Sequence, residues 1–324
     1  MKKCNLAVVG ASGLVGRTIL KVLIEENLLE KVNLTLYTSK RSAGKTINLC
    51  GKFFNFELLD ETALEKNFDI VLFSAGESVS LKWARRFADN GAFVIDNSNA
   101  FRRDKGVPLV VPEINIFEVN ENTKIIANPN CSTIELALAI SCLQVLGKIE
   151  KIVVSTYQSV SGAGMGGLLD LENNTNEKIK DGINGNVICK IGDIQENEFC
   201  TEENKIMFEL NKILNKNLSI CASTCRVPVP FCHLESVYIK YSKNVDLSLI
   251  SSIFNNLNVS LNKNISLPSL IADTNRTEVC RLRKFSDSEI AFFVVADNLR
   301  RGAGYNAVMI AKYIMEDILK INLD

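Results

Sequence analysis

The chain has 324 residues, more than one compact core usually organises, so two domains are expected. Lys plus Arg and Asp plus Glu number 37 each, which leaves no global field to draw the chain to a nucleic-acid backbone or an anionic membrane, and neither is expected as a partner. Even the apolar stretch 134–146 contains Glu135, Ser141 and Gln144, so no run is long enough to cross a bilayer, and a cytoplasmic protein is expected. Gly10, Ser12 and Gly13 interrupt the opening apolar run, which therefore reads as a strand and a turn instead of an export signal. Ten cysteines in such a chain are expected to be reduced thiols, and a single histidine, His233, must carry any imidazole chemistry.

In chain order, residues 6–9 lead into Gly10-Ala11-Ser12-Gly13-Leu14-Val15-Gly16, and Leu14, Val15, Ile19, Val22 and Leu23 then recur at helical spacing. The pattern predicts strand, glycine turn and helix. Strand-like runs follow at 32–37, 53–59, 70–74, 93–96 and 124–127, as expected of a mostly parallel sheet covered on both faces. Beyond about residue 130, longer alternating runs at 152–159, 220–229, 234–241 and 289–295 predict one large, mixed, mainly antiparallel sheet. Helices are predicted at 134–146, 202–214 and 306–319, the last packing back on the first domain. Residues 164–198, rich in Gly, Asn and Asp, are expected to form an excursion or partner-binding loop.

The glycines at 10, 13 and 16 are spaced GxxGxxG, which departs from the usual dinucleotide fingerprint GxGxxG. Their place between a strand and a helix still suits a diphosphate, because glycine admits close backbone approach and a helix N-terminus favours negative charge. A site preferring NAD carries a carboxylate near the end of the second strand, where this chain reads Tyr37-Thr-Ser-Lys-Arg-Ser-Ala43. Ser39 and Arg41 offer a donor and a positive charge for a 2′-phosphate, so NADP is the expected cofactor, while Lys40 reads as a solvated turn residue.

Asn128-Pro129-Asn130-Cys131-Ser132-Thr133 joins a predicted strand to a helix. A cysteine at a helix N-terminus meets unpaired N–H groups and the positive end of the dipole, which is expected to favour its thiolate as a nucleophile. Cys221, Cys225, Cys232 and His233 fit no standard zinc spacing, and no metal is expected.

These segments, with Arg41-Ser42-Ala43-Gly44, Asp96 to Arg102, Val107 to Asn115, Gln158 to Gly164, Arg226 to His233 and Asp297 to Gly302, resemble the bacterial aspartate-semialdehyde dehydrogenase family along nearly the whole chain. The resemblance implies a Rossmann-like NADP-binding domain over residues 1–130, completed by segment 302–324, and an α+β catalytic and dimerisation domain over 131–301. It further implies Cys131 as nucleophile, His233 as acid/base catalyst and Gln158 as the residue orienting the covalent intermediate. Arg226 is implied to grip the substrate carboxylate, Glu202 to face its amine, and Arg102, Asn130 and Lys205 to bind phosphate. For the cofactor it implies Gly10 through Gly16 (Ala11, Ser12, Gly13, Leu14 and Val15 between them), Ser39, Arg41 and Ser42, together with Ser161, Gly162, Asn298 and Gly302. The implied reaction is the NADPH-dependent conversion of L-aspartyl 4-phosphate to L-aspartate 4-semialdehyde through a Cys131 thioester, in the biosynthesis of lysine (by way of diaminopimelate), threonine and methionine. The implied assembly is a homodimer or homotetramer.

The chain departs from the family pattern where Cys225 directly precedes Arg226, Leu234 separates His233 from Glu235, Cys232 precedes the histidine, and Phe199-Cys200-Thr201 replaces Gly-Tyr-Thr. A neighbouring reading is N-acetyl-glutamyl-phosphate reductase, whose nucleophile loop usually reads Asn-Pro-Gly-Cys-Tyr; Asn130, Ser132 and Glu202 argue against it. A redox-sensing NADP-binding protein without turnover is the reading from another class, opposed by the presence of Gln158, Arg226 and His233.

Overall fold

A computed structural model describes residues 3–250, 254 and 259–323. The chain divides into two compact units, Met1–Pro129 with Ala303–Asp324, and Asn130–Gly302.

The first unit is built on a seven-stranded sheet comprising β1 (Cys4–Val9), β2 (Val32–Thr38), β3 (Thr46–Leu49), β4 (Lys52–Leu58), β5 (Ile70–Phe73), β6 (Phe93–Asp96) and β7 (Ile125–Ala127). Their order is β3-β4-β2-β1-β5-β6-β7, and every pairing is parallel except β3 with β4. The short strands β5 and β6 are buried at every position, as expected of parallel strands covered on both faces. Helix α1 (Leu14–Glu25) turns Ile19, Leu20, Val22 and Leu23 inward, and α8 (Tyr305–Tyr313) adds Ala307, Val308, Ile310 and Ala311 to the same core. The predicted C-terminal helix continues through a wider π turn at Ile314–Ile318.

Two elements of this unit have a weak apolar signal. Helix α2 (Glu77–Asp89) buries Ser80 beside Trp83, Ala84 and Phe87, and the Ser80 hydroxyl donates to the buried Asp96 carboxylate at 2.6 Å. The β3–β4 hairpin turns through Cys50 and Gly51, both at positive φ (51° and 82°). The four-residue helix α3 (Pro112–Asn115) starts on a proline, whose fixed φ suits a first turn.

The second unit carries a six-stranded sheet of β8 (Ile149–Gln158), β9 (Ser219–Arg226), β10 (His233–Tyr241), β11 (Val259–Asn262), β12 (Thr277–Ser286) and β13 (Glu289–Ala296), in the order β11-β12-β13-β10-β8-β9. Its three inner pairings, β12–β13, β13–β10 and β10–β8, are antiparallel, and the two outer ones are parallel. Strands β8, β9 and β10 alternate buried and exposed positions, so one face of the sheet is covered. The cover is α4 (Cys131–Leu143), which packs on β10, β12 and β13, and α6 (Thr201–Leu214), which packs on α4 and β9. Almost every residue of α4 is buried, so its sequence lacks an amphipathic period. The helix begins three residues before the predicted 134, because Asn130 caps it, accepting from the Thr133 N–H at 3.4 Å. Strand β9 ends at Arg226, short of the predicted 229, since the chain leaves the sheet there. Strand β12 buries only its first four residues and exposes a charged second half, which breaks the alternation that marks a strand.

The Gly-, Asn- and Asp-rich stretch holds α5 (Met165–Asn173) and then a series of turns organised by Asp170. Its carboxylate accepts from the N–H groups of Glu177, Lys178 and Ile179 and from the Thr175 hydroxyl, and these bonds hold it low, at about 2. A second short helix, α7 (Pro268–Ile271), packs against β13. Among the described residues no helix is long and apolar enough to cross a membrane.

Candidate active site

In the first unit, strand order reverses between β1 and β5, where the ends of neighbouring strands open a crevice. The glycine loop lies there. Gly10 has φ +87°, and a Cβ on it would stand 2.7 Å from the Ser74 carbonyl carbon; a Cβ on Gly16 would stand 2.2 Å from Gly10 O. Only glycine fits at either position. The N–H groups of Gly10 and Ala11 bond Tyr37 O, tying the loop to the end of β2. Gly13 caps α1 without a side-chain bond, so the first N–H groups of the helix carry no cap from that residue. A cavity of about 410 Å³ opens here, lined by Gly10, Gly13, Thr38, Ser39, Leu58 and Trp83 among others, and its described lining includes no carboxylate. Ser12 and Thr38 share a hydroxyl bond of 2.6 Å at its wall, and Arg41 is exposed on the adjoining turn, where the N–H of Ser42 bonds Ser39 O. This shape and donor set fit a dinucleotide.

Arg102 also belongs to the first unit. It is buried, with Nε donating to Asn128 O at 3.0 Å and Nη2 to Asn97 O at 2.8 Å. Asn128 in turn donates to Asn97 Oδ1 and accepts from Asn306 Nδ2, so the guanidinium has a fixed seat.

The second unit gathers Cys131, Asn130, Gln158, Glu202, Lys205, Arg226 and His233. Cys131 is the first residue of α4, and its Sγ lies 3.2 Å from Nε2 of His233, the first residue of β10. Gln158 and Arg226 end the parallel pair β8 and β9, directly opposite one another. Glu202, in the first turn of α6, accepts from Asn130 Nδ2 at 2.8 Å, Gln158 Nε2 at 3.3 Å and Lys205 Nζ at 3.2 Å. Burial pushes the Glu202 carboxyl up, but Lys205, the Asn130 bond and Arg226 outweigh it and hold the group below its ordinary value. Arg226 donates from Nη1 to Ser159 O at 2.7 Å.

The surroundings of Cys131 shift its thiol: desolvation raises it, and the Glu202 charge pushes the same way against Arg226. His233 moves in the opposite direction: burial, then the Arg226 charge, lowers it from 6.5 to about 3, so the imidazole is neutral.

The glycine positions acquire specific reasons. A Cβ on Gly162 would meet Arg226 Nη1 at 2.7 Å and His233 Cε1 at 3.5 Å, so this glycine makes room for both side chains. A Cβ on Gly302 would meet Cys131 Cβ at 2.6 Å. Asn298 is buried, and its amide bonds Ser159, Ser161 and Cys232 within the unit.

Four residues escaped the sequence reading. Glu209 accepts from the Asn130 N–H at 2.7 Å and so fixes the loop before the nucleophile; its only sequence signal was helical spacing from Lys205. Ser159 meets His233 through its N–H, which no side-chain pattern reveals. Glu135 and Glu235 are buried without hydrogen-bond partners among the described residues, and burial pushes both carboxyls well up.

Two family models match the chain: "Semialdehyde dehydrogenase, NAD binding domain" over residues 5–122 and "Semialdehyde dehydrogenase, dimerisation domain" over 141–301. The aspartate-semialdehyde dehydrogenase of Aquifex aeolicus is 38% identical over 97% of this chain and 98% of its own length, and that of Bacillus subtilis is 38% identical over 98% of each. The crystal structure of aspartate semialdehyde dehydrogenase II from Vibrio cholerae superposes with a TM-score of 0.92 at 36% identity, covering 98% of this chain and all of that one. A second structure of the Vibrio cholerae enzyme, complexed with ASA, gives 0.91. The fold, the paired cysteine and histidine and these matches agree: the chain belongs to the aspartate-semialdehyde dehydrogenase family.

Proposed function

We propose that this chain is an oxidoreductase that converts L-aspartyl 4-phosphate to L-aspartate 4-semialdehyde through a thioester on Cys131, with NADP as cofactor. The observation that carries the reading is the 3.2 Å approach of Cys131 Sγ to His233 Nε2 beside Arg226 and Glu202, a nucleophile set among groups complementary to an amino acid. When bound, the reduced nicotinamide supplies the hydride that turns thioester to aldehyde.

The residues divide the remaining work. Arg226 pairs with the substrate α-carboxylate, and Glu202 with its ammonium. Arg102, Asn130 and Lys205 hold the phosphate. Gln158 orients the thioester, and His233 donates toward the oxygen on which negative charge develops. Gly10 through Gly16 seat the diphosphate, while Ser39, Arg41 and Ser42 receive the 2′-phosphate; Ser161, Gly162, Asn298 and Gly302 serve the nicotinamide end. The absence of a carboxylate from the described cavity lining supports NADP over NAD.

The second unit matches a model named for dimerisation, which supports assembly as a homodimer or homotetramer of a cytoplasmic enzyme. The reaction serves lysine (diaminopimelate), threonine and methionine biosynthesis. The test is phosphate-dependent oxidation of aspartate semialdehyde, comparing wild type with Cys131→Ser. The variant is expected to fold and bind NADP with almost no turnover, since a hydroxyl is a far poorer nucleophile than a thiolate. Normal turnover in Cys131→Ser would exclude the thioester.

A further inference from the structure

Asn306 is the second residue of α8, and it is buried with the apolar Ala307, Val308, Ile310 and Ala311 that pack this helix into the core of the first unit. Its Nδ2 donates to Val110 O at 2.9 Å and to Asn128 Oδ1 at 2.7 Å, while its Oδ1 is buried with no hydrogen-bond partner among the described residues. A leucine of similar size would spare the core that unmet acceptor, so the amide sits here at a cost to stability. What it provides is one end of a chain of side-chain amides.

The chain has a single direction. A peptide oxygen can only accept, so Val110 O requires the Asn306 nitrogen to face it, and the second hydrogen of that nitrogen points at Asn128 Oδ1. Asn128 is left to donate from Nδ2 to Asn97 Oδ1 at 2.9 Å, and Asn97 from its own Nδ2 to Phe73 O at 2.8 Å. Phe73 O, another obligate acceptor, demands the same orientation from the far end, so none of the three amides can turn over without setting oxygen against oxygen. The Asn128 peptide is fixed as a result. Its N–H bonds Asp96 O at 2.8 Å, its side chain is held at both ends, and the following Pro129 disfavours a helical backbone there. The Asn128 carbonyl accepts from Arg102 Nε at 3.0 Å, and the Asn97 carbonyl from Arg102 Nη2 at 2.8 Å.

We infer that Asn306 is a positioning residue for the phosphate subsite, its polarised amide chain seating the carbonyls on which the Arg102 guanidinium rests. The inference deepens the proposed function and rests on its assignment of phosphate to Arg102. A guanidinium is planar and grips an anion along fixed N–H directions, so two bonds to immobile carbonyls set the plane in which it meets phosphate. Asn306, buried in the core, acts only through Asn128. Its loss leaves Arg102 in place with its charge intact but lets the group tilt. The signature is therefore selective: weaker phosphate binding, with the semialdehyde and NADP bound as before.

Initial rates of phosphate-dependent semialdehyde oxidation, with each substrate varied in turn, separate this role from a merely structural one. Asn306→Ala is expected to raise the KM for phosphate roughly 3- to 10-fold, the worth of one hydrogen bond, while the KM values for semialdehyde and NADP change less than about twofold. In the Arg102→Leu background the same substitution should add nothing, since its effect passes through Arg102. Asn306→Asp keeps the shape but sets acceptor oxygens against Val110 O and Asn128 Oδ1; it should do the same damage, and it replaces the alanine variant should that one not fold. A folded variant with the wild-type phosphate KM, equal rises in all three KM values, or full additivity with Arg102→Leu would overturn the inference. A second measurement needs no turnover. In protein carrying 15N-arginine, the Nε–H signal that disappears in Arg102→Leu should exchange slowly with solvent in wild type and roughly 10-fold faster in Asn306→Ala. Fast exchange in wild type, or unchanged exchange in the variant, would remove Asn306 from the seat. A normal phosphate KM in Arg102→Leu would instead defeat the functional reading of Arg102, and the exchange measurement alone would then decide the seat.

Discussion

Gly302→Ala tests whether the nucleophile has any freedom to retreat. The new methyl would stand 2.6 Å from Cys131 Cβ, 3.0 Å from its Cα and 3.1 Å from Glu135 Oε1. The φ of Gly302 lies outside the left-handed region, so the backbone tolerates alanine and the conflict is purely one of space. Carbon atoms settle at roughly 3.5–4.0 Å, so the two backbone segments must part by about 1 Å. Cys131 opens α4, whose following residues Ser132, Thr133 and Ile134 are all buried, and the helix therefore cannot absorb the shift at solvent's expense. Overpacking of this kind costs about 1–3 kcal/mol of stability. A displacement of about 1 Å at a reacting atom lowers the rate roughly 100-fold. Thermal unfolding and initial rates of phosphate-dependent semialdehyde oxidation, followed by nicotinamide absorbance, measure the two effects. Wild-type kcat with wild-type stability in Gly302→Ala would refute the close approach.

Arg41→Ala is expected to weaken NADPH binding far more than NADH binding, as titration of each cofactor by fluorescence would show; equal losses would remove Arg41 from the 2′-phosphate. Arg102→Leu and Arg226→Leu each remove a charge-assisted contact of roughly 1.5–3 kcal/mol. The first should chiefly raise the KM for phosphate and the second that for the semialdehyde, and matching profiles would contradict the division between them. His233 is lowered from 6.5 to about 3, so the unfolded chain binds a proton that the folded chain refuses between those values. The stability this contributes is present above 6.5 and lost as pH falls toward 3, with a slope of up to about 1.4 kcal/mol per pH unit. Denaturant titrations of His233→Gln across this range should show a shallower acid slope than wild type, and parallel slopes would mean the imidazole titrates normally.

The sequence by itself determined the pieces whose physics is local. The apolar run before Gly10, the glycine spacing and the helical recurrence after it specify strand, turn and helix, and Gly10 at φ +87° is a requirement that its own residue type announces. The alternation in β8 and β10 likewise announces a half-covered sheet. Cys131, Gln158, Arg226 and His233 were legible because their segments carry a family pattern. What only the tertiary structure decided depends on neighbours distant in sequence. Desolvation and the Glu202 charge raise the Cys131 thiol despite its helix N-terminus, and no window around residue 131 contains Glu202. The need for glycine at 302 arises from Cys131, far earlier in the chain, and the contact of Ser159 with His233 joins positions 74 residues apart. Helix α2 and strand β12 were missed for the same reason: Ser80 is buried by its bond to Asp96, and half of β12 faces solvent, so polarity misstates the place of each. Hydrophobic period records which face of an element is covered; desolvation, steric contact and hydrogen-bond direction exist only once elements far apart in sequence are packed together.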